Sequence, residues 1–112
     1  MIQGMHLTSI GDRNVLLEPG EGLDPSSPEA CLEPLLDFLQ HNNARRLLYD
    51  MGDVPVIDQV YYAWLLRLHA VCQISGVELV TVNISPPAAF SLALILDTEP
   101  PFTCALDVNQ VC

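Results

Sequence analysis

The clearest hydrophobic pattern along the chain is a strand, loop, helix and strand over residues 46–83. Residues 46–51 are apolar without alternation, which is typical of a strand covered on both faces. After a short link with Gly, Asp and Pro, residues 58–75 predict a long helix that ends at Gly76. Residues 77–83 predict a second buried strand, so the unit has the length of one parallel crossover.

Shorter elements precede this unit. Residues 6–10 and 14–18 predict two strands that pair as a hairpin, because a Gly-Asp turn signal separates them. Residues 28–41 place apolar side chains at three- and four-residue spacing, which predicts one helix with a buried face. Pro34 interrupts that pattern, so the helix either begins near Glu33 or is kinked.

Three further elements follow the crossover. Residues 87–96 predict a third helix, residues 102–106 a short last strand, and residues 107–112 a short helical tail. We therefore expect residues 1–112 to form one α/β domain, without repeats or a linker between domains.

The charge balance excludes several kinds of partner. The chain has 4 basic residues, all arginine, against 14 acidic residues, for a net charge of -10. A nucleic-acid binder needs clustered cations, and an anionic membrane surface would repel this chain. Apolar runs fall short of the ~18 residues of a membrane span, and an N-terminal signal is absent. We predict a cytoplasmic protein that binds neither nucleic acid nor membranes.

The candidate catalytic and metal-binding groups are sparse. The four cysteines and three histidines are scattered, which disfavours a zinc site and predicts reduced thiols. Asp50, Asp53 and Asp58 could gather at one sheet edge and bind Mg²⁺, but strand-end and helix-cap roles are favoured. His69 and Cys72 share a helix face without a third group to orient them. We predict no catalytic residue, no metal and no cofactor.

Several short motifs occur in an order that resembles the STAS domain of bacterial anti-sigma factor antagonists and of sulfate-transporter tails. The resemblance covers nearly the whole chain and implies a STAS-like (SpoIIAA-like) fold, a small mixed β-sheet packed by about four helices. The tail faintly resembles the small scaffold subunits of stressosomes. The motifs are Gly22-Leu23-Asp24, the strand ending in Asp50, Ile57-Asp58, Gly76-Val77-Glu78-Leu79-Val80, Pro86 or Pro87, and Phe102-Thr103 with Ala105-Leu106-Asp107.

The chain departs from the STAS pattern at the position where relatives are phosphorylated. There the resemblance implies Asp58 followed by Ser or Thr, but this chain has Gln59 and Val60, and Tyr61 stands where the family prefers glycine. Neither Gln59 nor Val60 can accept a phosphate. We expect the usual charge switch to be missing at this position.

Two registers are open for the helix that follows Asp58. By composition Val60, Trp64, Leu68 and Val71 should face the core, whereas the resemblance places Tyr62, Leu65, His69 and Cys72 inward. We favour the second register, which leaves four apolar residues facing outward as a protein-binding surface: Val60, Tyr61, Trp64 and Val71.

The resemblance implies a non-catalytic regulatory module that binds an anti-sigma factor, a kinase or other STAS proteins, with a homodimer left open. Alternative functions are an accessory subunit of an ATP-binding-cassette transport complex, or a nucleotide- or ligand-sensing domain with its site at Asp24, Asp50 and Asp58. The predicted partner-binding residues are Asp53, Asp58, Gln59, Tyr61, Tyr62 and Trp64.

Overall fold

The computed structural model describes residues 4–111 and confirms a mixed α/β fold. Within these residues, five strands form one sheet in the order β1-β2-β3-β4-β5. The β1 and β2 strands pair antiparallel, and all later neighbours are parallel. The strands are β1 Met5–Ile10, β2 Asn14–Pro19, β3 Arg46–Asp50, β4 Glu78–Val82 and β5 Thr103–Cys104. The helices are α1 Glu29–His41, α2 Gln59–Ile74, α3 Pro86–Ile95 and the short α4 Val108–Val111.

Strand β3 is buried on both faces, as its unbroken apolar run predicts. Leu47 and Tyr49 belong to the main cluster with side chains of α1, α2 and α3. Leu48 points to the opposite face because side chains alternate along a strand, and there it packs with Val80 and Val82. The sheet therefore has a large core on the helix side and a small one behind it.

Helix α1 runs through Pro34 without a break, so the alternative of a start near Glu33 is wrong. A proline inside a helix removes one backbone hydrogen bond and costs about 3 kcal/mol. Burial of Cys31, Leu32 and Leu35 around the proline offsets this cost.

The register of helix α2 lies between the two alternatives. Its buried side chains come from both of them: Leu65 and Cys72 from the favoured register, Trp64 and Leu68 from the other. Trp64 is only 1% exposed, so the prediction that it faces outward is wrong. Its indole N–H donates to the hydroxyl of Tyr49 over 3.0 Å, which allows the whole ring to be buried without an unpaired donor. Tyr62 and His69 are half-buried at the flank, where both rings lie near Phe102.

The loop after β2 is held against the start of β1. Gly4 has φ of 86°, and a Cβ at this position would lie 2.5 Å from the backbone N of Leu23. Only glycine fits such a close approach, and the Gly20 amide donates to the Gly4 carbonyl over 2.9 Å. The Gly22-Leu23-Asp24 segment is thereby fixed beside the sheet.

No helix within residues 4–111 combines the length and the apolar character needed to cross a membrane.

Candidate functional site

The β3–α2 loop, residues 51–58, lies at the carboxyl edge of the sheet, where parallel strands end and such folds keep their binding sites. Asp50 closes β3, and its Oδ1 accepts from the Gly52 amide over 2.8 Å and from Asn83 Nδ2 over 3.3 Å. Asn83 follows β4 with φ of 61°, a left-handed conformation that asparagine tolerates. Asp50 thus links the ends of two neighbouring strands.

Asp58 caps helix α2, as its position predicts. Its backbone is extended, and its carboxylate accepts from the Tyr61 amide over 2.8 Å. This bond satisfies one of the free N–H groups of the first turn, and the carboxylate complements the positive end of the helix. Gln59 and Val60 follow in that turn with exposed side chains. The turn therefore offers an amide and a methyl surface at the position where the resemblance to STAS domains implies a hydroxyl.

Tyr61 joins this exposed turn to the core. Its hydroxyl lies 2.7 Å from the hydroxyl of Tyr49, which also accepts from Trp64 Nε1. Burial raises the pKa of Tyr49 well above its usual range. Burial also raises the pKa of Tyr61, although its hydrogen bond with Tyr49 opposes that shift. Both phenols stay neutral at physiological pH and act as hydrogen-bonding groups.

Helix α3 supports the loop from the other side. The Ile57 amide donates to Ser91 Oγ over 2.8 Å, and Ser91 Oγ donates to the Ala88 carbonyl over 2.8 Å. Ser85 caps the helix by accepting from the Ala88 amide over 3.3 Å. Sequence reasoning missed the role of Ser91, although a lone hydroxyl in an apolar helix is a signal for such a bond.

A shallow cavity of about 590 Å³ lies between the loop after β2 and the β3–α2 loop. Its lining includes Leu23, Asp53, Val56 and Tyr61. Val56 is 58% exposed, so the lining of this cavity is partly apolar. Val60, which is 49% exposed, lies outside the cavity in the first turn of α2. The sequence predicts the loop of residues 53–58 as part of the contact, and Val56 lies exposed within it.

The carboxylates proposed for a ligand site are each used in a local turn or cap. Asp24 accepts from the Ser26 hydroxyl over 2.6 Å and from the Ser26 amide over 3.0 Å, and these bonds lower the pKa of Asp24. Asp50 and Asp58 hold the turns described above. Across residues 4–111, no group of three His, Cys, Asp or Glu side chains is placed to hold a metal ion.

The predicted partner-binding residues divide by exposure. Asp53, Asp58 and Gln59 are exposed at the loop and the first turn of α2. Tyr61 and Tyr62 are half-buried, and Trp64 is buried. Trp64 therefore supports the surface from beneath and does not form part of it.

Sequence comparisons found no protein-family model and no curated protein that matches this chain. Solved structures do resemble it. A serine-to-glutamate variant of RsbS from Moorella thermoacetica superposes with a TM-score of 0.76 at 21% identity, covering 94% of this chain and 90% of that one.

Two other structures are similar. A chain from the molecular architecture of the stressosome, described as a signal integration and transduction hub, has a TM-score of 0.75 at 19% identity, covering 93% of this chain and 90% of that one. The protein TM1081, solved by NMR, has a TM-score of 0.74 at 16% identity, covering 92% of this chain and 82% of that one. RsbS and the stressosome components are STAS-domain proteins, and this chain has the STAS-domain fold.

Proposed function

We propose that the chain is a non-catalytic regulatory STAS module of the cytoplasm that binds other proteins through the β3–α2 loop and the first turn of α2. The observation that carries the proposal is the pairing of exposed Val56 and Val60 with the acidic residues Asp53 and Asp58 at the carboxyl edge. Apolar groups ringed by charge are typical of a protein contact.

The chemistry of the site supports a binding role over catalysis. Asp50 and Asp58 each use Oδ1 in a turn or cap hydrogen bond, and Tyr49 and Tyr61 have raised pKa values that keep them neutral. A general base or a nucleophile needs a pKa matched to its task and a partner that activates it. The arrangement supplies rigid hydrogen bonds instead.

The partner class is another STAS protein, an anti-sigma factor or a kinase of the same regulatory system. The likeness of the fold to RsbS and to a stressosome chain supports a scaffold role within an assembly of STAS proteins. With Gln59 and Val60 in place of a phospho-acceptor, binding at this surface is not switched by phosphate there. The chain is then a constitutive member of its complex.

Affinity purification from the native cell, with mass spectrometry, tests the proposal. The wild type is compared with Val60→Asp and with Ile74→Asp, because Ile74 is 89% exposed at the far end of the same helix. We expect the wild type and Ile74→Asp to recover STAS proteins or their kinase, and Val60→Asp to lose them. Recovery of a transporter ATPase, or equal recovery by Val60→Asp, would overturn the proposal.

A further inference from the structure

Helix α3 presents an apolar face that the fold itself does not use. Its ten residues, PPAAFSLALI, carry no charge. Ala88 and Leu92 are buried in the main cluster, whereas Phe90 is 69% exposed and Leu94 is 72% exposed. Residues four apart lie on one stripe of a helix, so Phe90 and Leu94 form a continuous apolar ridge on the outer side. We call this ridge the α3 face.

Carboxylates flank the end of the α3 face. Asp97 and Glu99 follow the end of the helix, and both are exposed. Neither forms an ion pair within residues 4–111. After residue 46 the sequence holds a single Lys or Arg, Arg67, and its guanidinium is paired with Glu29 of α1 at 2.7 Å. The apolar ridge therefore ends beside two carboxylates that are free to meet cations of a partner.

We propose that the α3 face binds a helical segment of a different protein, one whose apolar stripe is flanked by lysine or arginine. The ridge of Phe90 and Leu94 matches the apolar stripe, and the carboxylates of Asp97 and Glu99 match flanking cations. Large apolar anchors supply most of the binding energy of such contacts, and the charges set orientation and selectivity.

A second copy of the chain fits this face poorly. A two-fold contact would oppose the same carboxylates across the axis, which is unfavourable. The arginines outside α2 are Arg13, Arg45 and Arg46, and they lie at the amino edge of the parallel strands, where the Arg45 N–H donates to the Arg13 carbonyl. Arg46 is already paired with Glu78 over 3.2 Å.

A membrane fits no better, since the net charge of -10 is repelled by anionic lipids. The inference rests on the proposed function, because it assigns a partner chemistry to a surface joined to the β3–α2 loop through Ser91. Different variants test the proposed function and the α3 inference. The α3 face is tested by Phe90 and Leu94, and the loop surface by Val60.

The test uses a fluorescent synthetic peptide of leucine and lysine, patterned as an amphipathic helix, and fluorescence anisotropy. We expect saturable binding to the wild type that weakens by about tenfold or more in the Phe90→Ser, Leu94→Ser double variant. Ile74→Ser, which changes a still more exposed apolar side chain at the end of α2, should bind like the wild type. A peptide of the same composition, scrambled to remove its apolar stripe, should bind far more weakly.

The inference would be overturned by no binding to the wild type, by equal binding of the double variant or of the scrambled peptide, or by a wild-type homodimer in sedimentation that the double variant abolishes. Binding of neutral phosphatidylcholine vesicles, lost in the double variant, would assign the face to lipid instead. If the double variant misfolds, NMR chemical-shift changes of the wild-type backbone amides show where the peptide binds. Shifts within Pro86–Ile95 on adding the peptide support the inference, and shifts confined to residues 74–78 contradict it.

The proposed function can be tested independently of the peptide result. Val60→Asp leaves Phe90 and Leu94 intact, so it should bind the peptide normally even though it loses the STAS partner. Loss of the STAS partner by Val60→Asp without any peptide binding would leave the proposed function standing and the α3 inference refuted.

Discussion

The hydroxyl of Tyr49 lies 2.7 Å from the hydroxyl of Tyr61 and accepts a hydrogen bond from the buried indole of Trp64 over 3.0 Å. Strand β3 and helix α2 are thus joined by a chain of three polar groups directly beneath the candidate site. Buried networks of this kind fix a single arrangement when each member has a partner. The position of the first turn of α2 depends on this contact.

Replacing Tyr49 with Phe should destabilise the fold more than replacing Tyr61 with Phe. Tyr49→Phe leaves the buried N–H of Trp64 without an acceptor, which costs about 1–3 kcal/mol. Tyr61→Phe keeps the bond between Trp64 and Tyr49 and loses only the bond between the two phenols, which costs about 0.5–1.5 kcal/mol. Urea unfolding followed by Trp64 fluorescence measures both. Tyr62→Phe is the matched control, since the Tyr62 hydroxyl has no partner within residues 4–111. An equal loss in all three variants would contradict the network.

Stability should fall as the pH rises above about 9. Burial raises the pKa of Cys72 from its ordinary 9.0 to about 12, and burial raises the pKa of Tyr49 above its ordinary 10.0. In alkali the unfolded chain loses these protons first, so it binds fewer protons than the folded chain and the free energy of unfolding decreases with pH. Urea unfolding between pH about 8 and about 11 checks this.

The Tyr49→Phe variant tests the source of that alkaline loss. It should show a shallower decline above pH about 10, because one of the titrating groups has been removed. A wild-type stability that stays flat through this range would show that the buried thiol and phenol do not titrate differently on unfolding.

The Asp58→Ala substitution should destabilise the fold by about 0.5–2 kcal/mol, because the Tyr61 amide loses its cap. Asp58→Asn keeps an oxygen acceptor at the same place, so its free energy of unfolding should fall by only about a few tenths of a kcal/mol. Thermal unfolding of the two variants gives the comparison. Equal melting of Asp58→Ala and the wild type would rule out the capping role.

The first turn of α2 holds no serine or threonine hydroxyl, so a serine kinase should find no acceptor there. Incubated with labelled ATP and a serine kinase that acts on STAS proteins, the wild type should incorporate no phosphate within residues 58–62. Gln59→Ser places a hydroxyl directly after Asp58 and should become a substrate, adding a charge of about -1.5 to -2 at the helix start. Peptide mapping by mass spectrometry locates the label. Phosphate on the wild-type turn would contradict the missing switch.

The sequence predicts those features that depend on local chemistry. The apolar run of β3, the Asp58 cap and the glycine after α2 follow from neighbouring residues alone, and the structure has all three. The overall STAS-like fold follows from the order of its motifs. Such signals need no knowledge of what packs above them.

The register of α2 could not be predicted because the helix is apolar on several sides. What places Trp64 inward is a hydrogen bond to Tyr49, a residue on another strand. The path of α1 through Pro34 likewise depends on burial on both sides of the proline, and the Ser91 contact to Ile57 spans 34 residues. These features belong to tertiary packing, which overrides local preference.

Hydrogen exchange on the complex with the recovered STAS partner locates the contact surface. We expect slowed amide exchange over residues 52–62, where the β3–α2 loop and the first turn of α2 carry Asp53, Val56 and Val60. Val60→Asp should remove that protection while Ile74→Asp leaves it. Protection confined to the opposite edge of the sheet, around Arg45 and Glu78, with residues 52–62 unchanged, would refute binding through the β3–α2 loop.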